Sequence, residues 1–126
     1  MPRDFTKYQF NSQVYGKNRL VLAVINQYVN DIKPNVERLT SAFPKELQGS
    51  RGVFIDKIAY DALAPNCDDK KMGRYFSKGD EAIVVEDGKL LVTTQWGIDN
   101  MARFVAKAKK LGFDIQEKND DSDRGY

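Results

Sequence analysis

The chain has 126 residues, a net charge of +2, 41% hydrophobic residues and 30% charged residues. This length fits one domain that buries its own core without disulfides, and the composition is ordinary for a soluble globular protein. The longest apolar run, residues 20–25, is too short to cross a membrane, and the first ten residues lack the apolar core of a secretion signal. We therefore expect a cytoplasmic protein without membrane contact.

Two patterns near the N-terminus predict a hairpin and a long helix. Alternating aromatic residues on both sides of Asn11-Ser12 are typical of a small β-hairpin over residues 8–15. Apolar residues then recur with a period near 3.6 over residues 20–32, which predicts an amphipathic helix. Asn18 is the candidate N-cap of this helix, and Pro34 should end it. The apolar face of this helix should form the centre of the core.

The middle of the chain predicts shorter elements. They are a helix at residues 36–43 capped by Asn35, a turn from Pro44 to Leu47, a strand at residues 53–55, and a helix at residues 57–63 marked by Ile58, Ala59, Ala62 and Leu63.

The loop Gln48–Gly52 contains two glycines, a serine and an arginine. Such a loop can bind phosphate through its backbone N–H groups. Known phosphate loops run from a strand into a helix, whereas this loop runs from a helix into a strand. Gly49 stands where a helix C′ residue belongs, and Gly52 stands where a turn precedes a strand. The pattern favours a helix stop followed by a turn, with Arg51 available for contacts.

The last third of the chain predicts a second hairpin and a second amphipathic helix. Runs of β-branched and apolar residues at 82–85 and 90–94 flank an Asp87-Gly88 turn, which is a strong hairpin signal. An apolar stripe then predicts a helix over residues 100–111, with Gly112 as its C′ residue.

The order of these elements predicts an α+β fold with local antiparallel pairing. We expect a single compact domain over residues 1–116, in which about four helices pack on antiparallel β-hairpins and residues 113–115 add an edge strand. Residues 117–126 carry two basic and four acidic groups, and are expected to form an acidic, disordered tail.

The two consecutive helices, the turn after them and the later hairpin resemble the topology of winged helix-turn-helix domains. The resemblance covers residues 16–95, and the hairpin would be the wing. The chain departs from this pattern at residues 44–48, because a recognition helix that enters a major groove needs two or three turns. The phrases LVLAVINQYV, AFPKELQG and TTQWGIDNMARF are also similar to a small module of bacterial restriction and mobile-element proteins. That similarity implies no particular activity.

The residue types present exclude several kinds of active site. Histidine is absent and Cys67 is the single cysteine, so Ser-His-Asp triads, Cys-His pairs and four-cysteine zinc sites cannot form. Asp87-Gly88-Lys89 has a faint likeness to the motif of metal-dependent nucleases, but the turn already explains its Asp-Gly pair. We therefore expect no enzyme activity, no metal site and no cofactor.

Basic residues are grouped on the last helix and in the segment before the second hairpin. On the helix they recur at helical spacing opposite the apolar stripe, as expected of a surface that follows a phosphate backbone. A plain solvated face is the competing interpretation of the helix. The earlier group stands beside aromatic residues, a composition suited to single-stranded nucleic acid. The candidate nucleic-acid contacts are Arg103, Lys107, Lys110, Lys70, Lys71, Arg74 and Arg51.

Aromatic residues support a different class of function. Exposed aromatics such as Tyr75, Phe76 and Trp96 could bind a protein partner or a second copy of the chain, although a single tryptophan in a small domain more often lies in the core. The sequence thus predicts a small nucleic-acid-binding domain that contacts the phosphate backbone of DNA or RNA. The alternative is a non-enzymatic protein-interaction module, adaptor-like or inhibitor-like, of bacterial or phage type.

Overall fold

The computed structural model describes residues 7–49, 52–63, 74–77 and 81–118. Within these ranges the strands form two antiparallel three-stranded sheets, ordered β2-β1-β6 and β3-β5-β4, so the predicted α+β class is confirmed. The elements in chain order are β1 (Lys7–Phe10), β2 (Gln13–Tyr15), α1 (Lys17–Ile32), α2 (Val36–Ala42), a 3-10 helix (Lys45–Leu47), β3 (Phe54–Asp56), α3 (Lys57–Leu63), β4 (Ile83–Val85), β5 (Gly88–Val92), α4 (Ile98–Lys110) and β6 (Gln116–Lys118). No helix in these ranges has both the length and the apolar character that crossing a membrane requires.

The first sheet is built on the predicted N-terminal hairpin. Asn11 and Ser12 form its turn with φ angles of 52° and 66°, the left-handed conformation that a two-residue type I′ turn requires at both positions. Strand β6 pairs with the other edge of β1 and places Glu117 opposite Tyr8. The predicted start of the acidic tail at residue 117 therefore falls inside a strand, while residues 119–126 lie outside the described residues.

The final strand begins three residues later than the predicted edge strand at residues 113–115. The reason lies in the end of α4, where the Phe113 N–H donates to the carbonyl of Ala108 at 3.1 Å and Gly112 adopts a φ of 101°. This is the arrangement of a Schellman motif, so Gly112 is a C′ residue as predicted. The motif occupies the residues expected to be extended, and Ile115 enters the core instead.

The second sheet contains the predicted β4–β5 hairpin, with its turn one residue earlier than expected. Val85 lies opposite Gly88, so the two turn residues are Glu86 and Asp87. Val36 packs closely against Gly88, because a Cβ atom at position 88 would lie 3.2 Å from Cγ2 of Val36. The Asp87 carboxylate accepts a hydrogen bond from the Val36 N–H at 2.8 Å. The tip of the hairpin is thereby fastened to the N-terminus of α2.

Helix α1 is the centre of the core, as its periodicity predicts. Leu20, Val21, Val24 and Ile25 on this helix have no exposed surface. Its N-cap is Gly16. The prediction of Asn18 as the cap is therefore wrong, because the helix begins two residues earlier. The helix ends as expected, with Lys33 in the left-handed conformation directly before Pro34.

Four aromatic rings join α1, α2 and α4 within the main core. The ring centroids of Tyr28 and Phe43 are 5.3 Å apart, those of Phe43 and Phe104 are 5.7 Å apart, and those of Phe104 and Trp96 are 5.4 Å apart. Aromatic pairs at such separations stabilise a core beyond the area that they bury. This row of rings fixes the inner face of α4 and leaves its opposite face to solvent.

Helix α3 has the predicted bounds, but the side of the helix that is buried is not the side that carries most of its apolar residues. It packs against β3 and β5 through Tyr60, which is buried. The apolar residues by which the sequence marked this helix, namely Ile58, Ala59, Ala62 and Leu63, are all exposed. A two-turn helix offers few positions to a sheet, so one large aromatic residue has determined which side is buried.

Candidate nucleic-acid interface

The outer face of α4 carries the basic residues that the helical spacing predicted. Met101, Phe104 and Ala108 on the inner face are buried. Arg103 and Lys110 are exposed and Lys107 is half-buried. Within the described part of the chain, none of these three cations forms an ion pair. Their positive charges are therefore available to an anion from solution.

Arg103 also connects the helix to the glycine-containing loop. Its Nε donates to the main-chain carbonyl of Glu46 at 3.1 Å. A Cβ atom on Gly49 would lie 3.9 Å from its Nη2, so the guanidinium lies along the loop. Gly49 has a φ of 116°, which confirms its predicted role as the residue that ends a helical turn.

Lys45 is a member of this surface that the sequence patterns did not single out. It begins the 3-10 helix, is exposed, and lies beside Gly52, whose Cβ would meet Cγ of Lys45 at 3.4 Å. It precedes Glu46, whose main-chain carbonyl accepts from Arg103, so the folding of the 3-10 helix against α4 brings the backbone of this segment to Arg103. We call Arg103, Lys107, Lys110 and Lys45 together the α4 basic surface.

Polar side chains hold the start of α4 against the same loop. The Asn100 side chain accepts from the Gly97 N–H at 2.5 Å and donates to the Gln48 carbonyl at 3.1 Å. The Gln48 side chain, itself 8% exposed, donates to the carbonyl of Gln95 at 2.8 Å. These bonds hold the start of α4 against the backbone that Arg103 contacts.

Among the described residues, no contact joins the other candidate nucleic-acid-binding residues to this surface. Arg74 begins a stretch that pairs with the end of β5, where its carbonyl accepts from the Thr94 N–H at 2.7 Å. Its main chain is therefore bound to the sheet. Lys70, Lys71 and Arg51 lie outside the described residues.

The aromatic residues proposed for partner binding are mostly inside the protein. Phe76 and Trp96 are 6% and 5% exposed, so the prediction that they are exposed is wrong. The Trp96 indole donates to the carbonyl of Thr93 at 2.9 Å, which confirms the core interpretation. Tyr75 is half-buried against the ring of Tyr60, with centroids 5.9 Å apart. These three residues do not form an exposed aromatic surface.

The acidic residues near the second hairpin have structural partners. Asp87 caps α2, and Glu81 forms an ion pair with Arg19 at 2.8 Å. Across the described ranges, no three His, Cys, Asp or Glu residues are close enough together to hold a metal ion. Asp80 lies outside those ranges.

Comparison of the chain with protein-family models, curated proteins and solved structures found no match.

Proposed function

We propose that this protein binds nucleic acid through the phosphate backbone, with the α4 basic surface as its contact. The observation that supports the proposal most is a row of cations on one rigid helix face, without an ion pair among the described residues. Salt-bridged side chains would have to break existing pairs before they could contact phosphate, whereas these would not.

The spacing of the row suits an extended polyanion. Arg103 and Lys110 are seven residues apart, which corresponds to about 10 Å along a helix axis. Duplex DNA carries one phosphate charge for every 1.7 Å of its axis, roughly, so several phosphates fall within that length. Phosphate contacts position a protein on nucleic acid without reading its sequence.

The winged-helix resemblance also favours binding to the phosphate backbone over reading of the base sequence. Its recognition helix would correspond to the 3-10 helix, which has only three residues, Lys45–Leu47. One turn is too short to present several side chains to a major groove. We therefore propose binding that depends weakly on base sequence and uses α4 as the main contact.

Salt dependence tests this proposal directly. If three lysine or arginine contacts neutralise phosphates of a duplex, the logarithm of affinity should fall against the logarithm of salt with a slope of about −2.7. Raising salt from about 50 to about 200 mM should then weaken binding about forty-fold. Fluorescence polarisation of labelled duplex and single-stranded DNA and RNA measures this slope. A protein that binds none of them at the lower salt concentration contradicts the proposal.

A protein-interaction module is the second candidate, and one feature of the structure favours it. Ile58 and Leu63 on α3 are 80% and 42% exposed, and Val84 on β4 is 61% exposed. Strand alternation places Val84 on the face of the second sheet opposite to the buried Ile83. Exposed apolar side chains of this kind are found at interaction surfaces.

If this apolar side of α3 mediates self-association, the protein should form a defined dimer in sedimentation velocity experiments. The dimer should persist in high salt, because apolar contacts are insensitive to ionic screening. Ile58→Ser should make it dissociate, while Val14→Ser, which changes another exposed apolar position, on β2, should not. A wild-type protein that stays monomeric at the highest concentrations would exclude self-association through α3.

A further inference from the structure

A cleft lies at the C-terminal ends of α1 and α4 and begins directly after Lys110 of the α4 basic surface. It has a volume of about 590 Å³ and is bounded by the turn of the first hairpin, the C-terminal half of α1 and the segment between α4 and β6. Small-molecule sites in proteins have volumes of about 300–1,000 Å³. The cleft is therefore large enough for a small ligand.

The interior of the cleft is aromatic. Phe10 and Tyr28 line it and are 4% and 7% exposed. Phe113, which is half-buried, meets Phe10 edge to face with ring centroids 5.8 Å apart. An aromatic wall of this kind can hold an apolar stem or the face of an organic cation.

Tyr28 gives the cleft an unused polar group. Its side chain is nearly fully buried, yet its hydroxyl has no hydrogen-bond partner among the described residues. The hydroxyl oxygen itself is not fully buried and retains some accessible surface. Since Tyr28 lines the cleft, a ligand inside the cleft can reach this hydroxyl.

The polar rim of the cleft is rich in acceptors and negative charge. Asn11 donates to Gln27 at 3.0 Å, and Gln27 donates to the carboxylate of Asp31 at 2.9 Å. The amide donors are thus directed at one another and at Asp31. Asp114 lines the same cleft and has no described partner. The cleft has two carboxylates and no lysine or arginine among its lining residues.

The ends of two helices add to this negative potential. α1 ends at Ile32 and α4 is followed by Leu111 and Gly112, and these residues line the cleft. The last carbonyls of a helix lack partners within it and carry the negative end of the helix dipole. Lys33 follows α1, and Lys107, Lys109 and Lys110 stand in the last turn of α4, so basic side chains beside both helix ends offset part of this potential. The two carboxylates among the lining residues therefore supply most of the preference for a positive ligand.

We propose that this cleft binds a small organic cation, namely an ammonium or guanidinium group on a short apolar stem. The cationic group lies between Asp31 and Asp114, and the stem lies on Phe10 and Phe113. The Tyr28 hydroxyl supplies a further hydrogen bond. This site goes beyond the proposed nucleic-acid binding and shares no lining residue with the α4 basic surface.

The test is a two-dimensional ¹H–¹⁵N NMR titration of the whole protein with n-butylguanidinium. Saturable shifts should be concentrated at the amides that line the cleft. The uncharged isostere n-butylurea should bind at least tenfold more weakly, because it keeps the stem and loses the charge. Equal affinity for the two compounds would contradict the proposal.

Variants locate the binding within the cleft. Asp31→Asn with Asp114→Asn should weaken n-butylguanidinium binding at least tenfold. Glu37→Gln with Glu86→Gln removes the same charge from a shallower depression beside α2, and should change the affinity less than twofold. Tyr28→Phe should weaken binding several-fold while leaving the unfolding midpoint unchanged, since the hydroxyl has no partner to lose. The proposal is overturned if the two double variants bind alike.

A second titration, with a peptide, distinguishes a small free ligand from an arginine side chain of a protein partner. An acetylated Gly-Arg-Gly amide presents the same guanidinium on a peptide backbone. If the peptide shifts the amides that line the cleft and n-butylguanidinium does not, the assignment to a small free cation is wrong. Nucleic-acid binding of the Asp31 and Asp114 double variant should be unchanged, so failure of either proposal is recognised separately.

Discussion

Replacing Phe104 with alanine is expected to lower the free energy of unfolding by about 3–5 kcal/mol. Phe104 has no exposed surface, stacks on Phe43 with an interplanar angle of 18°, and meets the edge of Trp96. Alanine would leave a cavity and remove a partner from both rings at once. A domain of this size is stable by roughly 5–15 kcal/mol, so the variant should lose a large part of that.

Urea denaturation measures this loss, and the protein contains its own reporter. Trp96 is the single tryptophan and lies against Phe104, so its fluorescence should follow the core directly. Val14→Ala is a suitable control, because Val14 is 59% exposed and its truncation should cost under about 1 kcal/mol. A cost for Phe104→Ala close to that of the control would contradict the placement of α4 on the aromatic row.

The double reversal of Arg103→Glu with Lys107→Glu is expected to abolish nucleic-acid binding while the domain stays folded. Each change replaces a positive with a negative charge, so the net charge moves from +2 to −2. The two new carboxylates would repel the phosphates that the α4 basic surface is proposed to contact. At about 50 mM salt the affinity of the variant should be lower than that of the wild type by roughly tenfold or more. Any binding that remains should have a slope of log affinity against log salt smaller in magnitude than about 1.

The stability of the reversed variant should change little. Arg103 and Lys107 take part in no described ion pair, and the main-chain bond from Arg103 to Glu46 lies on the surface. Lys7→Glu with Lys89→Glu is the matched control, because it gives the same net charge from exposed positions on the two sheets. Equal loss of binding in both double variants would show that net charge, and not α4, controls binding.

Several elements could be predicted because local interactions determine them. The apolar period of α1 and the proline after it specify that helix without reference to the rest of the chain. Asn35 caps α2 through a 2.8 Å bond to the Arg38 N–H, which joins residues only three positions apart. The spacing of Arg103, Lys107 and Lys110 is likewise a property of one helix, so their common face was predictable.

The chain order of the hairpins did not predict how they associate. Each hairpin is local, but β6 joins the first sheet and β3 joins the second through contacts distant in sequence. Two hairpins with similar alternation are equally compatible with one sheet or two, since pairing at their edges depends on the rest of the fold. The same reason explains the displaced final strand, because the turn after α4 and the edge of β1 together determine its position.

The sequence by itself determined the class of fold, the helices and the row of cations on α4, because each of these follows from spacing within one segment. Tertiary structure alone decided which aromatics are buried, which side of α3 is exposed, and that the segment containing Lys45 meets Arg103. It also created the cleft, whose walls come from both ends of the chain and from α1. Burial and cavities depend on contacts between distant segments, and no pattern within a single segment encodes them.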